Sequence, residues 1–238
     1  MKFAQEKINK ADEKLQASVQ MKYDFHIHDT VRVEYRVATN GPSFPRGYAQ
    51  IEHETRSAGG NGTLAACALA KWGAKVLLTG NAIGGDEHGS FLAKELTKVP
   101  NLTFEPQVDL EIQTPYAILL KAGTHDVGTL LSVTAAQVVI QRLPQDPTVA
   151  GFFIGDNASF GEIGTSAILR EPTQDYEALI NSLASVSACY LSLLGAEIGA
   201  DEKAAFVECV VEKYKASFGG PQTVPTLEEI EAWLNDER

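Results

Sequence analysis

Residues 59–89 read GGNGTLAACALAKWGAKVLLTGNAIGGDEHG, and this stretch decides the fold. Gly59-Gly60-Asn61-Gly62 leads into Thr63 to Trp72, a run rich in Ala and Leu that predicts a helix, and Gly73 stops it. Lys75 to Thr79 predicts a short buried strand, and Gly80 to Gly89 a glycine-rich loop before a helix over Ser90 to Lys98. Strand, glycine loop and helix in alternation predict an α/β sheet with crossover connections.

Toward the N-terminus, Tyr23 to Val37 alternates polar with apolar or β-branched residues, the period of a half-buried strand or hairpin. A loop with Gly41, Pro42, Pro45 and Gly47 separates it from a segment over Gln50 to Arg56. Residues 1–20 carry Phe3, Ile8, Ala11, Leu15 and Val19 at helical spacing, which predicts an appended amphipathic helix ahead of one domain over 21–238. Toward the C-terminus, strands are expected over Thr114 to Lys121 and Gly128 to Val133, joined by a short turn. Ala135 to Gln141 fits either a strand or a helix. Val149 to Ile154 is a compact apolar run ending at Gly155-Asp156, read as a parallel strand whose end opens toward a site. Helices are expected over Tyr176 to Leu194 and Asp201 to Ser217, and Thr226 with Glu229 forms a capping box for the last one.

The whole chain of 238 residues has 44% hydrophobic residues, enough for a substantial core. Twenty Lys+Arg against 31 Asp+Glu give a net charge of -11, which argues against nucleic acid and against anionic membrane surfaces as partners. Three cysteines, Cys67, Cys189 and Cys209, fit neither a disulfide framework nor a metal knuckle, so a reducing cytoplasm is expected. Cys67, Trp72 and Trp233 read as packing residues. No P-loop occurs, and GGNG lacks the spacing of a dinucleotide fingerprint.

With its glycine pair, Ala-rich helix, Gly73 stop, strand, and the G-x-D-x-x-G of Gly84, Asp86 and Gly89, the stretch resembles the PfkB (ribokinase-like) family of sugar and nucleoside kinases. A second likeness lies in Phe218-Gly219-Gly220 and Val224 to Glu229 near the C-terminus. The resemblance implies an α/β ribokinase-like fold, with a mostly parallel central sheet flanked by helices. A small β lid would come from strands within about 27–56 and 114–120, often doubling as a homodimer interface. It implies phosphoryl transfer from ATP, with Mg2+, to a hydroxyl of a sugar or nucleoside. Asp29, at the end of the first strand, would then hold the acceptor with Gly59, Gly60, Asn61 and Asp86. Adjacent glycines let a backbone approach a polyhydroxylated ligand, and the helix N-terminus behind them offers N–H donors. Asp86 could accept from sugar hydroxyls or brace its own loop.

The sequence also departs from the family's pattern. Leu64 stands where an Asn is common, and no Gly-Ala-Gly-Asp run occurs anywhere. In the family that run supplies an anion hole at a helix N-terminus and a base that deprotonates the attacking hydroxyl. Counting back from Phe218-Gly219-Gly220 places its counterpart at Asn181 to Ala184, which leaves Ala184 at the position of the base. Alternatively Gly155-Asp156, with Gly161 five residues on, keeps a carboxylate, and Asp156 is then the catalytic candidate. A third alignment takes Asp156-Asn157 into a loop near the metal-bound phosphates. Two further readings stand beside an active kinase. One is an inactive sugar-binding or regulatory pseudokinase. The other is a metal-dependent hydrolase built on His26 and His28, whose alternate strand positions place both imidazoles on one face.

Overall fold

A computed structural model describes residues 22–41, 49–122, 126–138, 149–153, 176–193 and 199–236. The segment over 1–20 and the Gly155, Asp156 and Gly161 cluster lie outside them. Among the described residues, eight strands form two four-stranded sheets. Sheet A has the order β5-β4-β1-β8, from β1 (Tyr23–Asp29), β4 (Val76–Gly80), β5 (Leu102–Phe104) and β8 (Val149–Phe153), all parallel. Sheet B has the order β3-β2-β6-β7, from β2 (Arg32–Thr39), β3 (Ile51–Gly59), β6 (Tyr116–Ala122) and β7 (Asp126–Leu131). Its central pair β2–β6 is parallel and its outer pairs are antiparallel.

The alternation over Tyr23 to Val37 is therefore two strands in two sheets rather than a hairpin. Only Thr30 and Val31 join them, and Asn81 holds the joint in place. Its Oδ1 accepts from the Val31 N–H at 2.8 Å and its Nδ2 donates to the Val31 carbonyl at 3.0 Å. These two bonds satisfy backbone groups that neither sheet ladder reaches.

The glycine pair opens α1 (Asn61–Lys71), whose residues from Asn61 to Ala70 are all buried. A helix buried all round suits small side chains, and the Ala-rich sequence lets β1 and β4 approach it closely. Gly73, at φ 95°, supplies the left-handed residue that ends it. The second helix, α2 (Glu87–Leu96), starts earlier than Ser90 because Asp86 caps it. A single turn, α3 (Val133–Ala136), follows β7, and the C-terminal helices are α4 (Tyr176–Leu193), α5 (Ala200–Ser217) and α6 (Leu227–Asp236). The capping box at α6 forms, with the Thr226 N–H donating to Glu229 at 2.7 Å and the Glu229 N–H to the Thr226 hydroxyl at 3.2 Å.

Trp72 ties this C-terminal half to α1. Its ring lies 5.1 Å from Tyr190 and 5.5 Å from Phe206, and its indole N–H donates to the Pro225 carbonyl at 3.0 Å. Tyr190 in turn donates its hydroxyl to the Trp72 carbonyl at 2.8 Å, so an aromatic cluster is packed and hydrogen-bonded together.

Candidate functional site

The junction where β1 ends and α1 begins brings Asp29, Gly59, Gly60 and Asn61 close together. Asp29 is fully buried, and its Oδ1 accepts from the N–H of Thr30. The glycines are required by close approach to the chain itself. A Cβ on Gly60 would sit 2.5 Å from the Thr30 carbonyl oxygen, and the residue's φ of 93° strains any other side chain. A Cβ on Gly59 would collide with the side chain of Glu34.

The donors at the start of α1 are engaged within the chain. The Gly60 N–H donates to Glu34 Oε1 at 3.0 Å, the Asn61 N–H to the Thr30 hydroxyl at 3.1 Å, and the Gly62 N–H to the Thr30 carbonyl at 3.1 Å. Groups that a helix start normally offers to an anion or a sugar are thus satisfied by β2 and its lead-in.

Asp86 braces its own loop. Its Oδ1 accepts from the Gly89 N–H at 2.8 Å and the Thr114 hydroxyl at 2.6 Å, and its Oδ2 from the Thr114 N–H at 2.9 Å. Burial pushes its carboxyl up, but these three hydrogen bonds prevail and hold it below the usual carboxylate range. The glycine loop is thereby fastened to the segment that enters β6.

His26 and His28 do share one face of β1, and the Thr79 hydroxyl bridges them, 2.7 Å from Nε2 of His26 and 2.8 Å from Nδ1 of His28. One hydroxyl proton serves at most one ring nitrogen, so the other ring donates to the oxygen. Among the described residues no group of three or more His, Cys, Asp or Glu side chains could hold a metal ion. Among the described residues, then, nothing joins His26 and His28 to complete a metal centre.

Asn181 to Ala184 lies inside α4, five residues beyond Tyr176, where backbone amides bond along the helix. A helix interior cannot form the anion hole that a nucleotide phosphate needs. On this alignment the residues present do not fit ATP there.

A buried charged cluster beside this junction was not visible as a site in the sequence. Arg32, Glu34 and Arg36 alternate along β2 and point to one face of sheet B, each at most 1% exposed. Glu34 lies 3.0 Å from Arg32 and 2.7 Å from Arg36, and Arg36 Nη2 also donates to the Tyr214 hydroxyl on α5 at 2.7 Å. Burial pushes the Glu34 carboxyl up, yet the two guanidinium groups and the Gly60 N–H hold it below its ordinary value. The Arg36 guanidinium also faces the rings of Tyr214 and Phe218, at 5.5 and 5.8 Å. Phe218 ends α5 at φ 44°, a left-handed conformation that is strained for a bulky side chain. A signal was present in the sequence: charges of sign plus, minus, plus at every second position can neutralise one another on one strand face, as solvated residues need not.

No model of a known protein family matches the sequence, and no curated protein matches it. Solved structures do. The ribokinase of Giardia lamblia is 11% identical with a TM-score of 0.58, over 90% of this chain and 100% of that one. The Thermotoga maritima ribokinase is 12% identical with a TM-score of 0.55, over 90% and 99%. The Arabidopsis thaliana ribokinase, solved with ribose and ATP, is 10% identical with a TM-score of 0.54, also over 90% and 99%. Likeness at these identities is one of architecture: the chain has the ribokinase-like fold, a mostly parallel α/β sheet and a mixed β sheet flanked by helices.

Proposed function

We propose that this protein is a ribokinase-fold pseudokinase, which binds a small molecule in the cleft between the end of β1 and sheet B without phosphorylating it. The observation that carries this reading is the position of Asn181 to Ala184 within α4: phosphoryl transfer depends on positioning and charge stabilisation at an anion hole, and a helix interior offers none. The Arabidopsis ribokinase was solved with ribose and ATP, and the shared fold supports a cleft of the right kind for the first of these. ATP and Mg2+ belong to the competing reading of an active kinase with Asp156 as base.

A coupled ADP-release assay decides between the two. It is run over hexoses, pentoses, nucleosides, sugar acids and sugar phosphates with MgATP, on the wild type and on Asp156→Asn. The expected result is no release above the acceptor-free background for either protein. Release by the wild type that Asp156→Asn abolishes would establish a kinase and place the base at Asp156.

A further inference from the structure

We propose that the Arg36 face of sheet B holds the oxyanion of a small ligand, a carboxylate or phosphate group carried on a polyhydroxylated molecule. This rests on the reading of the cleft as a ligand site and names the chemical class it takes. Arg36 is 1% exposed, and its Nε and Nη1 have no hydrogen-bond partner, although Nη2 has two. Buried guanidinium N–H groups without acceptors are costly, and the geometry they favour is a fork around a carboxylate or phosphate.

Charge points the same way. On this face Glu34 pairs with both Arg32 and Arg36. Lys121 pairs with Ala38 and so shares the parity of Arg36, and its Nζ lies 5.4 Å from the Phe218 ring that Arg36 also faces. A ligand anion held at Arg36 then has a second cation, Lys121, on the same face.

The neighbouring hydroxyls suggest the ligand's body. Thr55 faces Arg36 across the β2–β3 ladder, and Ser57 faces Glu34. Leu119 links Arg36 on β2 to Thr129 on β7, about 10 Å away across two strand spacings. The hydroxyl oxygens of Thr55, Ser57 and Thr129 are shielded from solvent and have no hydrogen-bond partner. Each both donates and accepts, which suits ligand hydroxyl groups.

Isothermal titration calorimetry at constant ionic strength, without ATP, tests the proposal with ribose 5-phosphate, gluconate, inorganic phosphate and ribose. At least one of the two anionic polyols is expected to bind, in competition with phosphate, and ribose at least tenfold more weakly. Whichever binds tells phosphate from carboxylate. Arg36→Met should weaken that binding tenfold or more. Thr55→Val and Thr129→Val, which leave the ion pairs intact, should each weaken it about threefold and serve if Arg36→Met does not fold. The proposal is overturned if neither anionic polyol binds, if ribose binds as tightly, or if the variants bind like the wild type. ADP release from an anionic acceptor would instead overturn the pseudokinase reading and leave the anion site standing.

Discussion

Replacing Glu34 by Gln keeps the side chain's shape and removes its charge. In the wild type this fully buried carboxylate accepts from Arg32 Nε at 3.2 Å, Arg32 Nη2 at 3.0 Å, Arg36 Nη2 at 2.7 Å and the Gly60 N–H at 3.0 Å. Glutamine retains one acceptor oxygen, so two guanidinium groups are left facing each other in a shielded site. Breaking a buried ion pair from one side costs about 3–5 kcal/mol. At about 2–4 °C per kcal/mol for a chain of this size, the melting temperature falls by about 6–20 °C. Thermal denaturation at pH 7, followed by circular dichroism, measures it.

The pH dependence gives a second check. The folded pKa of Glu34 is lowered, so its contribution is fully present above its unfolded value near 4.5 and is lost as pH falls through the folded value. Glu34→Gln should therefore lose less stability than the wild type on going from pH 5 to pH 3. A melting temperature within 1 °C of the wild type, with an unchanged acid profile, would refute the reasoning. The triple change Arg32→Met, Glu34→Leu, Arg36→Met should recover most of the loss, since an apolar replacement of a whole buried ion cluster is often neutral or stabilising.

Two further outcomes follow from the backbone around the cleft. Gly60→Ala should destabilise by about 3 kcal/mol, since it combines a positive φ with a clash against the Thr30 carbonyl. Gly73→Ala, at φ 95° with open space around the added carbon, should cost only about 1–2 kcal/mol, and urea melts of the pair separate strain from clash. Asp86→Ala should cost about 1–2 kcal/mol through the lost helix cap. Faster amide exchange at Gly89 and Thr114 would locate that loss, and unchanged exchange there would contradict the bracing role.

The α1 unit was legible because a helix-forming run and a stopping glycine act locally, although what requires Gly59 and Gly60, their contact with Glu34 and Thr30, lies well back along the chain. Asp86 was legible only by halves. Its place in a glycine loop was visible, but its bracing role depends on Thr114, 28 positions away. The division of Tyr23 to Val37 between two sheets was hidden because the alternation continues through Thr30 and Val31 without a break. Arg32, Glu34 and Arg36 were hidden for a similar reason. Polar residues at every second position ordinarily mark a solvated face, and here the cover over that face is Tyr214 and Phe218, far along the chain. Local pattern gives the period of a strand but not what is packed against it.

The strand pairing also sets an order of events during synthesis. β1 and β2 occupy the middle of their sheets yet leave the ribosome before most of their neighbours. Val33 waits for Tyr116, 83 positions later (116 − 33), which at about 5–20 residues per second is about 4–17 s. Tyr23 waits longer still, for Val149. Through that interval β2 has only the β3 hairpin beside it, and its other edge offers unpaired backbone groups to any extended chain nearby. A nascent chain of this protein is therefore most in need of a chaperone midway through translation, before β6 arrives to close the edge.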